Sequence, residues 1–273
     1  MKTMTWSDGR RADCVADRLS RCAAALWFAI AVAGQWVFVY YILAFYWTST
    51  LTGHFASWNR RDLIKGYVAG DTAGNLMFAG HVLVAALITT SGGLQLIPAI
   101  RARAPAFHHW NGRFFVGAAF LMAIGGLWMV WIRGSWLTYW SLASSTLLAL
   151  GIMGSAALVV LLARRRRFVE HQRWALRLFI LANGVWFQRL GYMAWLILAR
   201  GPVGVGKHLD GPFDIVWGFG CYLLPLAFLE LYLRAKRGGV WAKSTIAGGL
   251  GLAATATALG TVGAYVFMWR PMI

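Results

Sequence analysis

The sequence has little charge, few acids and few cysteines, and each shortage excludes a class of protein. Charged residues make up 13% of the 273 residues and hydrophobic residues 59%, which excludes an ordinary soluble domain. The three cysteines, Cys14, Cys22 and Cys221, provide neither a disulfide framework nor a zinc-binding pattern. No HExxH, GxSxG or Walker-type sequence is present, so the enzyme classes that these motifs mark are excluded.

What the sequence has instead is a series of seven apolar stretches joined by short loops. Each stretch is long enough to cross a bilayer, where only helices or closed barrels satisfy the backbone polar groups. The stretches cover residues 23–46, 73–97, 110–132, 139–163, 174–199, 213–233 and 245–269. We therefore expect an all-α, seven-helix transmembrane bundle over 23–273, preceded by a basic segment at 1–22 that lies on the membrane surface. No predicted span contains lysine, which excludes a retinal-type Schiff base.

Basic residues fall on alternate loops and predict the orientation of the bundle. Eighteen lie within residues 2–21, 101–113, 164–177 and 234–243, whereas seven lie in the other loops. Because excess Lys and Arg mark the cytoplasmic side, we expect a cytoplasmic N-terminus and an extracytoplasmic C-terminus. The net charge of +17 then faces anionic lipid headgroups or other membrane-protein subunits, and nucleic acid is not an expected partner.

A first polar cluster is predicted in the outer half of the membrane. His81 of the second stretch and Arg189 of the fifth lie at similar depth, at ~1.5 Å per residue. Asn75, Gln188 and Tyr192 are close enough along the chain to join them. A buried arginine needs an anion, a carbonyl or water, and no acid is predicted at its depth. The cluster therefore predicts a quinone or anionic ligand, with a polar knot that fixes helix register as the alternative.

A second polar cluster is predicted where the third and fifth stretches begin. His109 and His171 lie at matched depth on two helices, and neutral imidazoles in this position can ligate haem iron. Arginines close to them in sequence are candidates to hold the propionates. These arginines are Arg113, Arg173 and Arg177. The alternatives are that the histidines face headgroups, and that Glu230 simply pairs with Arg177 or Arg113.

Part of the chain resembles the bacterial membrane-protein family catalogued as domain of unknown function 2306. The resemblance covers roughly residues 75–235. It rests on His81, Gly93, Gln95, Pro98, Arg101, Pro105, His109, Gly112, Arg113, the segment Glu170-His171-Gln172-Arg173-Trp174-Ala175-Leu176-Arg177, Arg189 and Glu230. It implies a multi-helix architecture, a shared set of polar positions and a bacterial inner-membrane location. The family label implies no activity.

The chain departs from this family pattern in two places. His108 doubles the usual single histidine, and the sequence Cys221-Tyr222-Leu223-Leu224-Pro225 lacks the expected asparagine before the glutamate. A looser similarity is to membrane cytochromes of the b561 kind. The fourth stretch has no histidine to pair with His81, so that similarity implies at most one haem.

Three functions follow from these features as hypotheses. The first is a redox protein with haem b at His109 and His171 and a quinone near His81 and Arg189. The second is a non-catalytic accessory or assembly subunit of a larger membrane complex, suggested by the basic face and the scarcity of soluble structure. The third is an anion or lipid permease lined by Arg189 and His81, which the absence of an internal repeat disfavours.

Overall fold

The computed structural model describes residues 6–60 and 65–273, and within these ranges the regular structure is entirely helical. The α-helices are α1 (Trp6–Tyr41), α2 (Thr48–Leu51), α3 (Thr72–Gln95), α4 (Pro98–Arg103), α5 (Pro105–Trp131), α6 (Tyr139–Arg164), α7 (Phe168–Ala182), α8 (Gly184–Leu198), α9 (Pro212–Ala235) and α10 (Val240–Gly263). Short π-helical or 3₁₀ turns cover Ile42–Trp47, Phe55–Asn59, Ala264–Trp269 and Arg270–Met272. The all-α prediction is confirmed.

Local sequence signals set where the helices begin. Pro98, Pro105 and Pro212 occupy the first turns of α4, α5 and α9, where a missing N–H costs nothing. Asp71 caps α3, since its Oδ1 accepts a 2.8 Å hydrogen bond from the Gly74 amide. These signals place the start of α5 five residues before the apolar run that the hydropathy pattern predicts.

Six described helical segments are long and apolar enough to cross a membrane. They are Arg11–Leu51, Thr72–Gln95, Pro105–Trp131, Tyr139–Arg164, Pro212–Ala235 and Val240–Met272. The fifth predicted span is not among them, because it is divided at Asn183 into α7 and α8, each of 15 residues. The predicted count of seven spans is therefore not confirmed by helix length and composition.

The break between α7 and α8 has a local cause in the Asn183 side chain. Its Nδ2 donates a 2.8 Å hydrogen bond to the Phe179 carbonyl, so the side chain occupies an acceptor that belongs to the helix ladder. Its Oδ1 accepts a 3.0 Å hydrogen bond from Gln35 Nε2 on α1. The backbone still continues through the break, since the Phe187 amide donates to the Asn183 carbonyl. Helices α7 and α8 are thus two halves of one path with a kink at Asn183, which we call the kinked α7–α8 path.

The N-terminal segment differs from the separate surface helix that its composition predicts. Residues from Trp6 onward form one helix that runs without interruption to Tyr41. Ala16 and Ser20 are buried, and Lys243 at the start of α10 makes ion pairs with Asp13 (3.3 Å) and Asp17 (3.1 Å). The basic segment is continuous with the first span because it packs against another helix through small side chains.

Helices α1 and α10 run parallel to each other. Lys243 near the start of α10 meets Asp13 near the start of α1, while Trp269 beyond the end of α10 contacts Phe38 near the end of α1, with 5.3 Å between ring centroids. We call the end that holds residues 11–22 and Lys243 the basic end, and the opposite end the far end.

The centre of the bundle is formed around the kinked α7–α8 path. Leu178 and Trp186 on this path are fully buried, together with Tyr222 of α9 and Ile42 and Trp269 beyond α1 and α10. Helix α7 packs against α6 and α9, and α8 packs against α9 and α10. Residues on more than one side of α7 therefore face the interior of the bundle.

Candidate functional site

A cavity of about 2360 Å³, open along part of its wall where exposed residues such as Leu121 and Leu252 line it, extends from the basic end along the bundle. It is bounded by the end of α3 and by α1 and α5–α10, and most of its wall is apolar. Sites for single small ligands usually measure about 300–1000 Å³. The cavity is therefore large enough for a bulky amphiphile or for more than one ligand.

Polar groups line this cavity mainly at its basic end and carry one sign of charge. The basic side chains on the lining are Arg21, Arg101, Arg113, Arg164, His108, His109 and His171. No acidic side chain of the described residues belongs to the lining. A wall that is apolar in depth and cationic at one end fits a ligand with an apolar body and an anionic group.

His171 is held in a defined orientation by the neighbouring helix. Its Nδ1 lies 2.9 Å from the Val159 carbonyl of α6, which accepts hydrogen bonds but cannot donate them. Nδ1 must therefore carry the proton, which leaves the lone pair of Nε2 to bind a ligand. Metal-binding histidines commonly make the same contact through their second nitrogen.

His108 belongs to a hydrogen-bonded network that joins the end of α3 to the start of α5. Gln95 Oε1 accepts a 2.8 Å hydrogen bond from Asn111 Nδ2, so Gln95 Nε2 is the donor to His108 Nε2 at 3.3 Å. Asn111 also bonds to Ser91. Gly112 faces Gln95 so closely that a Cβ atom would lie 2.7 Å from its Nε2. The network explains structurally why Gln95 and Gly112 accompany the histidines in sequence.

His109 lies beside this network, on the same cavity. It is exposed, and its ring centroid is 6.1 Å from that of His108. His108 also interacts electrostatically with His171 and Arg101. The structure thus places His109 and His171 on one cavity together with His108, which adjoins His109 in sequence.

The three arginines predicted to hold propionates separate into two groups. Arg113 lines the cavity and stacks on Trp110, with its guanidinium 4.9 Å from the ring centroid. Arg177 instead pairs with Glu230 at 2.7 Å and lies over Trp174. Arg173 is half-buried on α7 and outside the cavity lining. The pairing of Glu230 with Arg177 agrees with the simpler alternative from sequence, while Arg101 and Arg164 join Arg113 at the cavity.

The residues predicted to form an outer-half cluster have separate neighbours. His81 packs against Gly125 and Gly126 of α5, where a Cβ would lie 3.8 and 3.6 Å from its ring. Arg189 Nη1 donates to the Val185 carbonyl, and its guanidinium lies 5.5 Å from the Phe38 ring centroid.

The remaining members of that predicted cluster contact the far end and α9. The Tyr192 hydroxyl donates a 2.7 Å hydrogen bond to buried Asp214, which also accepts from two loop amides. The Gln188 carbonyl accepts from Trp217 Nε1. These contacts connect α8 to α9 and leave the polar-knot alternative as the better description of Tyr192.

Asn75 takes part in a different knot, which fixes the loop before α3. Its Oδ1 accepts a 3.0 Å hydrogen bond from Arg133 Nη2, and Arg133 Nε bonds to Asp71 at 2.9 Å. The hydrogen bond from the Gly74 amide, followed by the Arg133 guanidinium, holds the pKa of Asp71 below its ordinary value. The signal in sequence is an unpaired Arg and Asp in facing loops.

No group of three or more His, Cys, Asp or Glu side chains in residues 6–60 and 65–273 is placed to hold a metal ion.

Comparison with known proteins gives one match. A family model described as "Predicted membrane protein (DUF2306)" matches residues 78–233, which is more than half of the chain. No curated protein and no solved structure matches. The matched region includes His108, His109, His171 and Glu230, and thus the histidine end of the cavity.

Proposed function

Because the chain belongs to the DUF2306 family of membrane proteins, we propose a function for its cavity within the membrane. The protein binds haem b at the basic end of the cavity and takes part in electron transfer. The observation that carries this proposal is that His171 of α7 lines one cavity with His108 and His109 of α5, and that no acidic side chain of the described residues belongs to that lining.

Different residues of the chain would bind the iron, the propionates and the porphyrin ring of the haem. His171 would offer Nε2, because Val159 fixes the proton on Nδ1, and His109 would provide a second imidazole for the iron. Arg113, Arg101 and Arg164 on the cavity provide charge-assisted hydrogen bonds for the propionates. The apolar wall receives the porphyrin. When bound, the haem supplies reversible one-electron chemistry.

A difference spectrum of the purified protein, reduced minus oxidised, tests the proposal, together with a pyridine haemochrome assay. We expect Soret and α bands that are lost in His171→Ala and in His109→Ala. His54→Ala is the matched control, because His54 is exposed near the far end and bonds only locally to Thr52. A featureless spectrum from folded protein produced with haem precursors would contradict the proposal.

We further propose seven spans, with the N-terminus in the cytoplasm and the C-terminus outside a bacterial inner membrane. The parallel course of α1 and α10 supports an odd number of crossings. Each half of the kinked path reaches about 22 Å, short of a ~30 Å hydrocarbon core, whereas the two halves together exceed it. A reporter fused after Ile273 should be extracytoplasmic, and a cytoplasmic reporter would contradict this topology.

A further inference from the structure

The cavity has a second part that the histidines do not use. This apolar arm lies between α1, α8, α9 and α10. Its wall includes Phe187, Leu190, Leu224, Pro225, Phe228 and Ala253. Nothing in this wall can ligate a metal or bind an anion, so the haem proposal leaves the arm without a role.

Two residues with distinctive backbone or packing properties border the arm. Pro225 lies inside α9, where it has no N–H to bond the Cys221 carbonyl and its ring pushes against the preceding turn. Opposite, Gly249 of α10 faces Phe228, whose ring would lie 2.7 Å from a Cβ at that position. Phe228 therefore packs closely on α10 beside the arm, and a side chain at position 249 would collide with its ring.

The mouth of the arm at the basic end carries positive charge around one phenol. Tyr232 lines the cavity, and Lys236 Nζ lies 5.6 Å from its ring centroid. Arg21 of α1 also lines the cavity and interacts electrostatically with Tyr232. Arg21 uses Nε for a 3.2 Å hydrogen bond to the Asp17 carbonyl, which leaves the N–H groups of its two terminal nitrogens as further donors.

We propose that the apolar arm holds the acyl chains of an anionic phospholipid and that the phosphate lies between Arg21, Lys236 and the Tyr232 hydroxyl. Two cations and one hydroxyl donor match the oxygens of a phosphodiester. Acyl chains match a wall that is apolar along its length. The absence of acidic side chains from the described lining favours a lipid with net negative charge over a zwitterionic one.

Native mass spectrometry of the full chain, delipidated in mild detergent and titrated with phosphatidylglycerol, tests this site. We expect a saturable lipid adduct that phosphatidylcholine forms much more weakly. The double variant R21Q/K236Q should weaken phosphatidylglycerol binding by about tenfold or more, because two charge-assisted contacts are lost. Glycerol 3-phosphate, which has the phosphate without the chains, should not compete at the same concentration.

Matched control variants distinguish a specific lipid site from nonspecific attraction to a basic surface. R18Q/R237Q removes two exposed charges from the same two segments and should leave binding unchanged. A253W fills the arm without altering charge and should reduce binding, whereas T255W places the same bulk on an exposed position of α10 and should not. Equal losses of phosphatidylglycerol binding in R21Q/K236Q and R18Q/R237Q, or undiminished binding to A253W, would overturn the proposal.

The lipid proposal and the haem proposal fail independently. R21Q/K236Q leaves His109 and His171 in place, so its haem spectrum should match that of the parent protein. A chain without haem that still binds phosphatidylglycerol in this way would support the lipid site alone.

Discussion

The hydrogen bond between Gln35 and Asn183 should contribute measurably to stability, because it joins two buried amides at the kink of the α7–α8 path. Both residues are 2% exposed, and the donor–acceptor distance is 3.0 Å. The perturbation is Asn183→Leu, which keeps the approximate volume and removes the acceptor. Gln35 Oε1 already has no partner, so the substitution leaves the whole buried amide of Gln35 unsatisfied.

The expected cost follows from that loss. An unsatisfied buried polar group costs about 1–3 kcal/mol, and hydrogen bonds between membrane helices average about 0.6 kcal/mol with a maximum near 1.7. We therefore expect Asn183→Leu to lower the free energy of unfolding by about 1–3 kcal/mol. Gln35→Met should cost less, because it also removes the unpartnered Oε1. The double variant should cost less than the sum of the two.

The assay is reversible unfolding of the purified protein in mixed micelles by titration with dodecyl sulfate, followed by circular dichroism. The four proteins of the cycle give the coupling energy between the two positions. We expect a coupling of about 0.6–1.7 kcal/mol. Strictly additive costs would refute the reasoning, because they would mean that the two amides contribute without contacting each other.

Two further predictions concern packing and acid stability. Gly191→Ala should destabilise the protein by about 1–3 kcal/mol in the same titration, because the new Cβ would overlap the Trp217 ring. Gly154→Ala, on an α6 position that faces open space, should be neutral or stabilising, and equal losses would refute the packing argument. Asp71 has a lowered pKa in the folded state, so its contribution is present above about pH 4 and is lost as the pH falls through the lowered value. Melting temperatures measured between neutral pH and about pH 3 should fall less for Asp71→Asn than for the parent chain, and identical slopes would contradict the assigned Asp71–Arg133 contact.

The sequence predicts most helices well, because burial in lipid demands long apolar runs and helix starts carry proline or capping residues. The fourth stretch, at 139–163, nearly coincides with α6. The fifth stretch does not coincide with a single helix. From sequence alone, Asn183 looks like a polar residue that a membrane helix tolerates, because its contact with Gln35 involves a distant part of the chain. The composition of residues 1–22 predicts a surface segment, and it does not indicate that the helix from Trp6 onward continues into the first span or that Asp13 and Asp17 pair with Lys243 of α10.

For the candidate site, the depth of each polar residue in the membrane could be predicted from sequence, but the residues that contact it could not. Counting residues from the ends of the stretches places His109 and His171 at one level, and both line the cavity. The same counting places His81 and Arg189 at similar depth. In the structure, however, His81 packs against α5, and Arg189 lies beside Phe38 of α1. Depth follows from the helical rise, whereas the direction of a side chain depends on helix rotation.

By itself, the sequence determined that this protein is an all-helical membrane protein with one strongly basic end, because apolar length and charge distribution are properties of the chain. Only the tertiary structure decided that Arg177 pairs with Glu230, that Arg101 and Arg164 line the same cavity as the histidines, and that Pro225 borders an apolar arm. Those outcomes depend on which helices pack together and how each is rotated. That choice is made by close contacts between residues far apart in sequence, which a linear pattern does not encode.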